Sequence, residues 1–293
     1  MIIETWGLTT YYGKARGIEN IDLDIKEGEI YGFVGPNGAG KSTLMRTLLS
    51  FIHPLRGEAR IFGLDYRENS KEIKKSLGYV PGEIKYYPDT RVSSLLSYSA
   101  SLKGAGRDQV SRLVKLLGLE ENKRIRELSL GNKKKVALAQ AFLGEPKLLI
   151  LDEPTSGLDP LLQRIFTDLI LDFQARGGTV FLSSHNLQEV AHLCHRTSVI
   201  KEGFIVDTLD LKAMENEFGW IVGLKGSINK EAVLSVAKEL LKEEDGYFEF
   251  LYRGQMDSLV RSLGVFKLDD LSIRKEDIQD RFLRYYGGDY EGF

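Results

Sequence analysis

Residues Gly35 to Thr43, Gly-Pro-Asn-Gly-Ala-Gly-Lys-Ser-Thr, constrain this chain more tightly than any other stretch. Gly35, Gly40, Lys41 and Ser42 fall on the fixed positions of G-x-x-x-x-G-K-[ST], the phosphate-binding P-loop pattern. Glycines let successive backbone N–H groups turn inward onto an anion, because they adopt dihedrals that other residues avoid. A helix starting just after the loop adds its positive dipole end and its free N–H donors. Lys41 can then reach the β- and γ-phosphates, and Ser42 can offer a hydroxyl to Mg²⁺. Short glycine-rich turns also arise by chance, so context decides. Glu29 to Val34 is expected to be a strand entering the loop, and Lys41 to Phe51 a helix leaving it. That is the strand–loop–helix order the pattern requires.

Composition narrows the setting. A chain of 293 residues can hold one large domain with a small one, or two of moderate size. A formal net charge of −2 carries no sign of a nucleic-acid or anionic-membrane binder, although Lys133, Lys134 and Lys135 cluster. The single cysteine, Cys194, excludes an internal disulfide and points to a reducing compartment. It is expected to be a small filler on a helix rather than a nucleophile. The start, Met-Ile-Ile-Glu-Thr-Trp, is too short an apolar run for a signal peptide, and no run approaches about 18 apolar residues. The chain is expected in the cytoplasm, or docked on the cytoplasmic side of something else.

Between Ile18 and Ile25, Ile21, Leu23 and Ile25 alternate with Asp22 and Asp24, which predicts a strand exposed on one face. Lys26-Glu27-Gly28 reads as a hairpin turn into the strand that feeds the P-loop. Past the P-loop helix, Pro54 to Gly57 breaks the chain, Glu58 to Gly63 reads as a strand, Ser70 to Leu77 as a helix, and Gly78 to Pro81 as a strand with its stop. From Arg91 to Leu143 the character is helical, with Val110, Leu113, Val114 and Leu117 at helical spacing. Lys147 to Leu151 is apolar enough for a central strand of a parallel sheet. A helix over 161–175, a strand over 179–183, a helix over 187–194 and a strand over 198–201 follow, predicting an open, mostly parallel sheet. A boundary is expected between Asp210 and Trp220, after a helix over 212–218. The tail offers strands at 220–224, 247–252 and 266–273 and helices at 230–241, 256–263 and 276–285, with 287–293 frayed.

Leu148 to Leu151 ends in two adjacent carboxylates, Asp152 and Glu153. In a P-loop ATPase such a strand is expected beside the P-loop strand. Asp152 would hold Mg²⁺ opposite Ser42, and Glu153 would polarise the attacking water. A solvated acidic turn is the plainer alternative, disfavoured by the P-loop upstream. His185 ends the next apolar strand, where open α/β sheets place their ligands. Ser129 precedes a helix as its N-cap, and that helix end is a second candidate phosphate site.

Together these motifs resemble the nucleotide-binding subunit of an ATP-binding cassette (ABC) transporter, over roughly residues 1–210. The P-loop matches at Gly35 to Thr43, the acidic strand at Leu148 to Glu153, the Ser-Gly-Leu-Asp turn at Ser156 to Asp159, and the switch histidine at His185. The family's adenine-stacking aromatic falls on Tyr12 before Gly13, with Tyr11 the competing choice. Two departures stand out. The Leu-Ser-Gly-Gly-Gln signature reads Leu128-Ser129-Leu130-Gly131-Asn132, and Gly82 occupies the place of the usual glutamine, with Glu83 its nearest replacement. Both resemble a bacterial branch serving drug, peptide or lipid exporters of the ABC-2 type.

The resemblance implies an α/β fold: a P-loop NTPase cassette of the ABC type with an antiparallel β subdomain and a helical insert, plus a small C-terminal α+β domain. The cassette is expected over residues 1–212, its insert over about 83–145, and the accessory domain over 213–293. ATP and Mg²⁺ are the implied cofactors. Phosphate and nucleotide contacts are expected from Tyr12, Gly35, Pro36, Asn37, Gly38, Ala39, Gly40, Lys41, Ser42, Thr43, Ser129, Gly131 and Asp159. Metal ligation is expected from Ser42 and Asp152, and catalysis from Glu153, His185 and Lys41. Two copies, or one copy and a paralogous cassette, would pair head to tail with ATP clamped between the P-loop of one and Ser129–Gly131 of the other. Hydrolysis would drive a separate permease from the cytoplasmic face of the plasma membrane. The Lys133–Lys135 run is expected to be a solvated face or added charge near the partner's triphosphate, and no base-reading motif accompanies it. A nucleotide-switched binding module with little hydrolysis is the alternative that Gly82 and the altered signature motivate.

Overall fold

The continuously buried strands share one sheet, with a single alternating strand on its edge, and the other alternating strands of the first unit form a second sheet. The computed structural model describes residues 1–13, 15–214, 219–264, 266–277 and 280, and the chain divides into one unit over Met1–Leu211 and another beginning at Lys212. In the first unit, β1 (Ile3–Tyr12) pairs antiparallel with β2 (Ala15–Ile25), Ile3 lying opposite Ile25. Ile21, Leu23 and Ile25 of β2 are buried while Asp22 and Asp24 are exposed, the pattern of a sheet with one wet face. β3 (Ile30–Val34) is buried at every position and leads through the P-loop into α1 (Lys41–Leu48). β4 (Arg56–Ile61) takes the other side of β1, and β5 (Leu64–Asp65) completes an antiparallel sheet in the order β2-β1-β4-β5.

After α2 (Ser70–Lys75) and β6 (Leu77–Val80) come the helices α3 (Val92–Lys103), α4 (Arg107–Leu117) and α5 (Leu130–Phe142). The chain then alternates through β7 (Leu148–Asp152), α6 (Pro160–Ala175), β8 (Thr179–Ser184), α7 (Leu187–Leu193), β9 (Arg196–Lys201) and β10 (Phe204–Asp210). The resulting sheet runs β10-β9-β3-β8-β7-β6, parallel from β9 to β6 with β10 antiparallel on its edge. α1 packs against β1, β2 and β7, so the two sheets share one core that includes Ile3, Leu8, Ile21, Phe33, Leu44, Met45, Ile150 and Phe181. Phe181 meets the ring of Phe33 edge-on at 5.8 Å and that of Tyr31 at 6.3 Å.

α8 (Leu211–Met214) spans the division of the chain. The second unit follows as β11 (Trp220–Ser227), α9 (Lys230–Val236), β12 (Glu239–Glu244), β13 (Tyr247–Tyr252), α10 (Met256–Leu263) and β14 (Lys267–Lys275). Its sheet order, β12-β13-β11-β14, is antiparallel throughout. This βαββαβ succession is the split βαβ, ferredoxin-like arrangement. Val222, Leu224, Val233, Phe250, Leu259 and Leu263 form its core.

Four local expectations are corrected. Lys26 to Gly28 is no hairpin: β2 and β3 lie in different sheets, because β2 has a solvated face and β3 has none. The turn is fastened instead to the parallel sheet, Gly28 N donating to Thr179 Oγ1 at 2.9 Å. The acidic strand β7 does not adjoin β3. β8 lies between them, its two edges taken by parallel ladders to both neighbours. The helix expected over 230–241 stops at Val236, and Glu239–Glu244 is a strand with Leu240 opposite Phe250. Strand pairing there overrides the helical preference of Glu, Leu and Lys. Leu77 begins β6 rather than ending the preceding helix. The helix expected over 276–285 and the frayed end over 287–293 fall outside the described residues but for 276, 277 and 280, as does the part of 212–218 from 215 onward.

Phe181→Ala empties the ring contacts between β8 and β3. It is expected to destabilise the first unit by about 3–5 kcal/mol, read as a lowered denaturant midpoint in the full chain.

Candidate functional site

The P-loop is held by close backbone approaches that only glycine permits. A Cβ at Gly35 would lie 2.2 Å from the carbonyl oxygen of Ile200. Gly40, the residue before α1, has φ 111°, and a Cβ there would lie 2.4 Å from the oxygen of Gly17. The turn between β9 and β10 braces the loop: Gly203 N donates to Ala39 O at 2.9 Å, and Gly203 O accepts from Glu19 N at 2.8 Å. Lys41 is 6% exposed. Its ammonium donates to the oxygens of Gly35 at 2.6 Å and Pro36 at 3.1 Å. It also forms an ion pair with Glu153 Oε1 at 3.1 Å, out of hydrogen-bond alignment.

Tyr12, Arg16, Gly17, Asn37, Gly38, Gly40, Lys41, Ser42, Thr43 and Glu153 line a cavity of about 310 Å³ over the loop. Small-molecule sites occupy roughly 300–1,000 Å³. A roomier groove of about 530 Å³ between Lys103 and Glu145 contains none of these residues. Of the loop residues expected to meet phosphate, Gly35, Pro36 and Ala39 do not line the cavity, and their carbonyls serve Lys41 and Gly203. The two tyrosines differ in their surroundings. Tyr11 donates its hydroxyl to Glu19 Oε2 at 2.7 Å, whereas Tyr12 borders the cavity and is half exposed.

β7 delivers Asp152 fully buried at its last position. Oδ1 accepts from Ser183 Oγ on β8 at 2.7 Å, and the same hydroxyl accepts from Glu153 N at 3.0 Å. Oδ2 is buried with no hydrogen-bond partner among the described residues. Glu153 leaves the strand at φ 47°, a left-handed conformation that costs a non-glycine residue on the order of 1–3 kcal/mol and persists where the surroundings over-determine it. Its carboxylate is held from both sides, by Lys41 at Oε1 and by His185 Nδ1 at Oε2, 2.6 Å away. Against an ionised carboxylate, Nδ1 carries the imidazole proton.

Position 82 abuts this network. A Cβ at Gly82 would lie 3.1 Å from the unpartnered Asp152 Oδ2. Glu83 does not stand in for the glutamine: it is exposed and pairs with Lys85 at 3.0 Å. Ser129 caps α5, accepting from Asn132 N at 3.3 Å, and Asp159 caps α6, accepting from Leu162 N at 3.0 Å. Ser129, Gly131 and Asp159 do not reach the P-loop cavity of their own chain. Gly131 instead faces Leu158 and Leu162, on the turn and helix that follow the acidic strand.

Three residues were not singled out by motif. Ser183, two residues before His185, stands in no motif of its own, yet it ties Asp152 to Glu153. Arg16 lines the cavity while pairing with Glu202 at 3.4 Å and covering the ring of Phe204. Lys134 overturns the solvated reading of the lysine run. It is 2% exposed and donates to the oxygens of Glu153, at 2.9 Å, and Ser156. The pattern carried no amphipathic signal for it: past Lys134 the helix is buried on most of its sides, at Val136, Ala137, Leu138, Ala139, Ala141 and Phe142.

Residues 18–156 match the ABC transporter family. The chain is 30% identical over 303 residues to the bacitracin transport ATP-binding protein BcrA of Bacillus licheniformis, covering 98% of each chain. Its fold superposes on the ATP-binding subunit of an ABC transporter with a TM-score of 0.68 at 26% identity, over 74% of this chain and 93% of that one. It also superposes on a dimeric bacterial ABC transporter cassette with a TM-score of 0.66 at 24% identity, over 71% and 98%.

Ser183→Ala leaves Asp152 Oδ1 and the amide of Glu153 without partners in a buried site. Thermal unfolding of this variant is expected to report a loss of about 1–3 kcal/mol, with far-UV circular dichroism unchanged.

Proposed function

The chain belongs to the ABC transporter family of ATP-binding proteins, and from that premise we propose how its residues divide the work. It is the ATP-binding and ATP-hydrolysing subunit that powers a separate membrane permease. We assign phosphate binding to the amides of Gly38 to Thr43 with Lys41, and adenine stacking to Tyr12. Triphosphate oxygens compete with Gly35 O, Pro36 O and Glu153 for the Lys41 ammonium, so binding loosens Glu153 from its present ion pair. The proposed base is Glu153. It orients water and takes its proton, while His185 Nδ1 keeps the carboxylate turned toward the reacting phosphoryl group.

The donor set fits Mg²⁺. Ser42 borders the cavity, and Asp152 Oδ2 is a buried carboxylate oxygen with no hydrogen-bond partner among the described residues, the kind of hard ligand that ion takes. Among the described residues no group of three or more His, Cys, Asp or Glu could hold a metal unaided. Ser42 and Asp152 would therefore hold the ion together with phosphate oxygens, where it supplies charge neutralisation.

One observation carries the composite-site reading: Ser129 and Gly131 do not reach their own chain's P-loop cavity. We assign them, with Asp159 nearby, to ATP bound on a second copy or a paralogous cassette packed head to tail. Residues 1–212 would form the cassette and 213–293 an accessory domain. Among the described residues no helix is long and apolar enough to cross a membrane. We place the chain on the cytoplasmic face of the plasma membrane beneath its permease. The relative named for bacitracin transport supports export as the coupled work, with the cargo selected by the permease.

Glu153→Gln is expected to lower ATP turnover by about 10²–10⁴-fold while retaining ATP and accumulating as a dimer on gel filtration. Turnover at the wild-type rate would sink the assignment, and near-zero turnover of the unmodified chain would favour a nucleotide switch. For the composite site, Lys41→Ala and Ser129→Arg chains should each be inactive alone. Mixed, they should regain turnover, because one of the two sites in the mixed dimer is intact.

A further inference from the structure

Lys134 is a buried cation that the assignments above leave without a role. It lies on α5, five residues past the Ser129 cap, at the start of the helix's buried stretch. Its ammonium crosses to the turn after β7 and donates to the oxygens of Glu153, at 2.9 Å, and Ser156. Burial pulls its pKa down, and the charges of Glu153, Glu189 and Asp152 oppose that. Both carbonyls that accept from it belong to the segment that begins with Glu153.

Glu153 needs such support. Its φ of 47° is left-handed, and a carboxylate at that position could swing away with its peptide. Ser183 fixes its amide, and Lys134, at 2.9 Å, holds its carbonyl beside a longer bond from Ser156 N at 3.4 Å, so the backbone is held at both polar groups while the side chain meets Lys41 and His185. The clamp starts from the helix whose N-cap is Ser129. A shift at that end of α5 moves the Lys134 ammonium with it.

We propose that Lys134 is a positioning residue for Glu153, transmitting the placement of the α5 N-terminus to the carboxylate through the Glu153 and Ser156 carbonyls. The proposal rests on the reading of Glu153 as the group that activates water. It makes engagement of one chain's Ser129 end by a second copy's ATP an event felt at the first chain's own hydrolytic carboxylate.

The test uses the full chain with ATP and Mg²⁺. Lys134→Met is expected to lower kcat about ten- to a hundredfold with KM little changed, because it misplaces the carboxylate without touching the phosphate cradle. Lys134→Arg, which keeps two N–H donors on a cation, should recover most of that loss. In the Glu153→Gln background, Lys134→Met should have almost no further effect on the residual rate. The proposal is overturned by a wild-type kcat in Lys134→Met, or by the same fold-loss in the Glu153→Gln background as in the unmodified chain. A parallel loss of ATP affinity and folded protein that Lys134→Arg does not repair would also overturn it, since the role would then be structural. If Lys134→Met does not fold, Lys134→Gln replaces it, with an intermediate kcat expected and a wild-type kcat fatal. Wild-type turnover in Glu153→Gln alone would sink the reading of Glu153 and this proposal with it, whereas the outcomes above sink only the latter.

Discussion

The parallel register of β3, β8 and β7 is the constraint on which the site depends. Val34 stands opposite Ser184, and Asp152 opposite Ser183, so three strands end at one level. Lys41 comes from the first strand's loop, His185 from the end of the second, and Glu153 from the third. Their side chains meet because β8 ends in two serines. Ser183 is small enough to leave the path open and polar enough to bind both carboxylate residues in it. Larger apolar side chains there would separate Lys41 from Glu153 and leave Asp152 buried without compensation, a costly arrangement. Register and residue size therefore act together.

The signals legible in the sequence are those in which backbone geometry demands a residue type. Gly35 and Gly40 occupy places where a Cβ meets a carbonyl oxygen, so the loop could be read letter by letter. The apolar run into Asp152 announced a strand with a polar end, and Ser129 announced a helix cap. Pairing partners were not written in the same way. Nothing in β8 as a string says that it intervenes between β3 and β7, since parallel ladders join segments remote in sequence. The same holds for Lys26 to Gly28, a turn whose residues suit a hairpin but whose flanking strands have incompatible burial. Lys134 was obscured by its neighbours. A run of three lysines reads as solvated, and the residues after it, buried on most sides of the helix, do not single out the middle one.

The second unit shows the limit of local preference most clearly. Glu239 to Glu244 would serve well in a helix, and the chain makes an edge strand of it because Leu240 finds Phe250 across the ladder. Charged residues along that edge discourage further strands from adding, a common protection for an open sheet. Once β12 is placed, the βαββαβ order follows. Position 82 offers the opposite lesson. Its glycine was legible as a departure, but its consequence was not: the gap opens beside the one Asp152 oxygen that lacks a partner.

The strand order also has a consequence for how the chain is made. Tyr31 finds its partner at Arg196, and Ile30 at Val180. A ribosome adding about 5–20 residues per second leaves the apolar strand β3 waiting on the order of 10–30 s for these neighbours. The antiparallel β1–β2 pair can close far earlier, β4 adds to the other edge of β1, and α1 packs on β1 and β2. The sheet that brings Tyr12 and Arg16 to the cavity thus also serves as the early shelter under which the nascent P-loop strand waits for the rest of its own sheet.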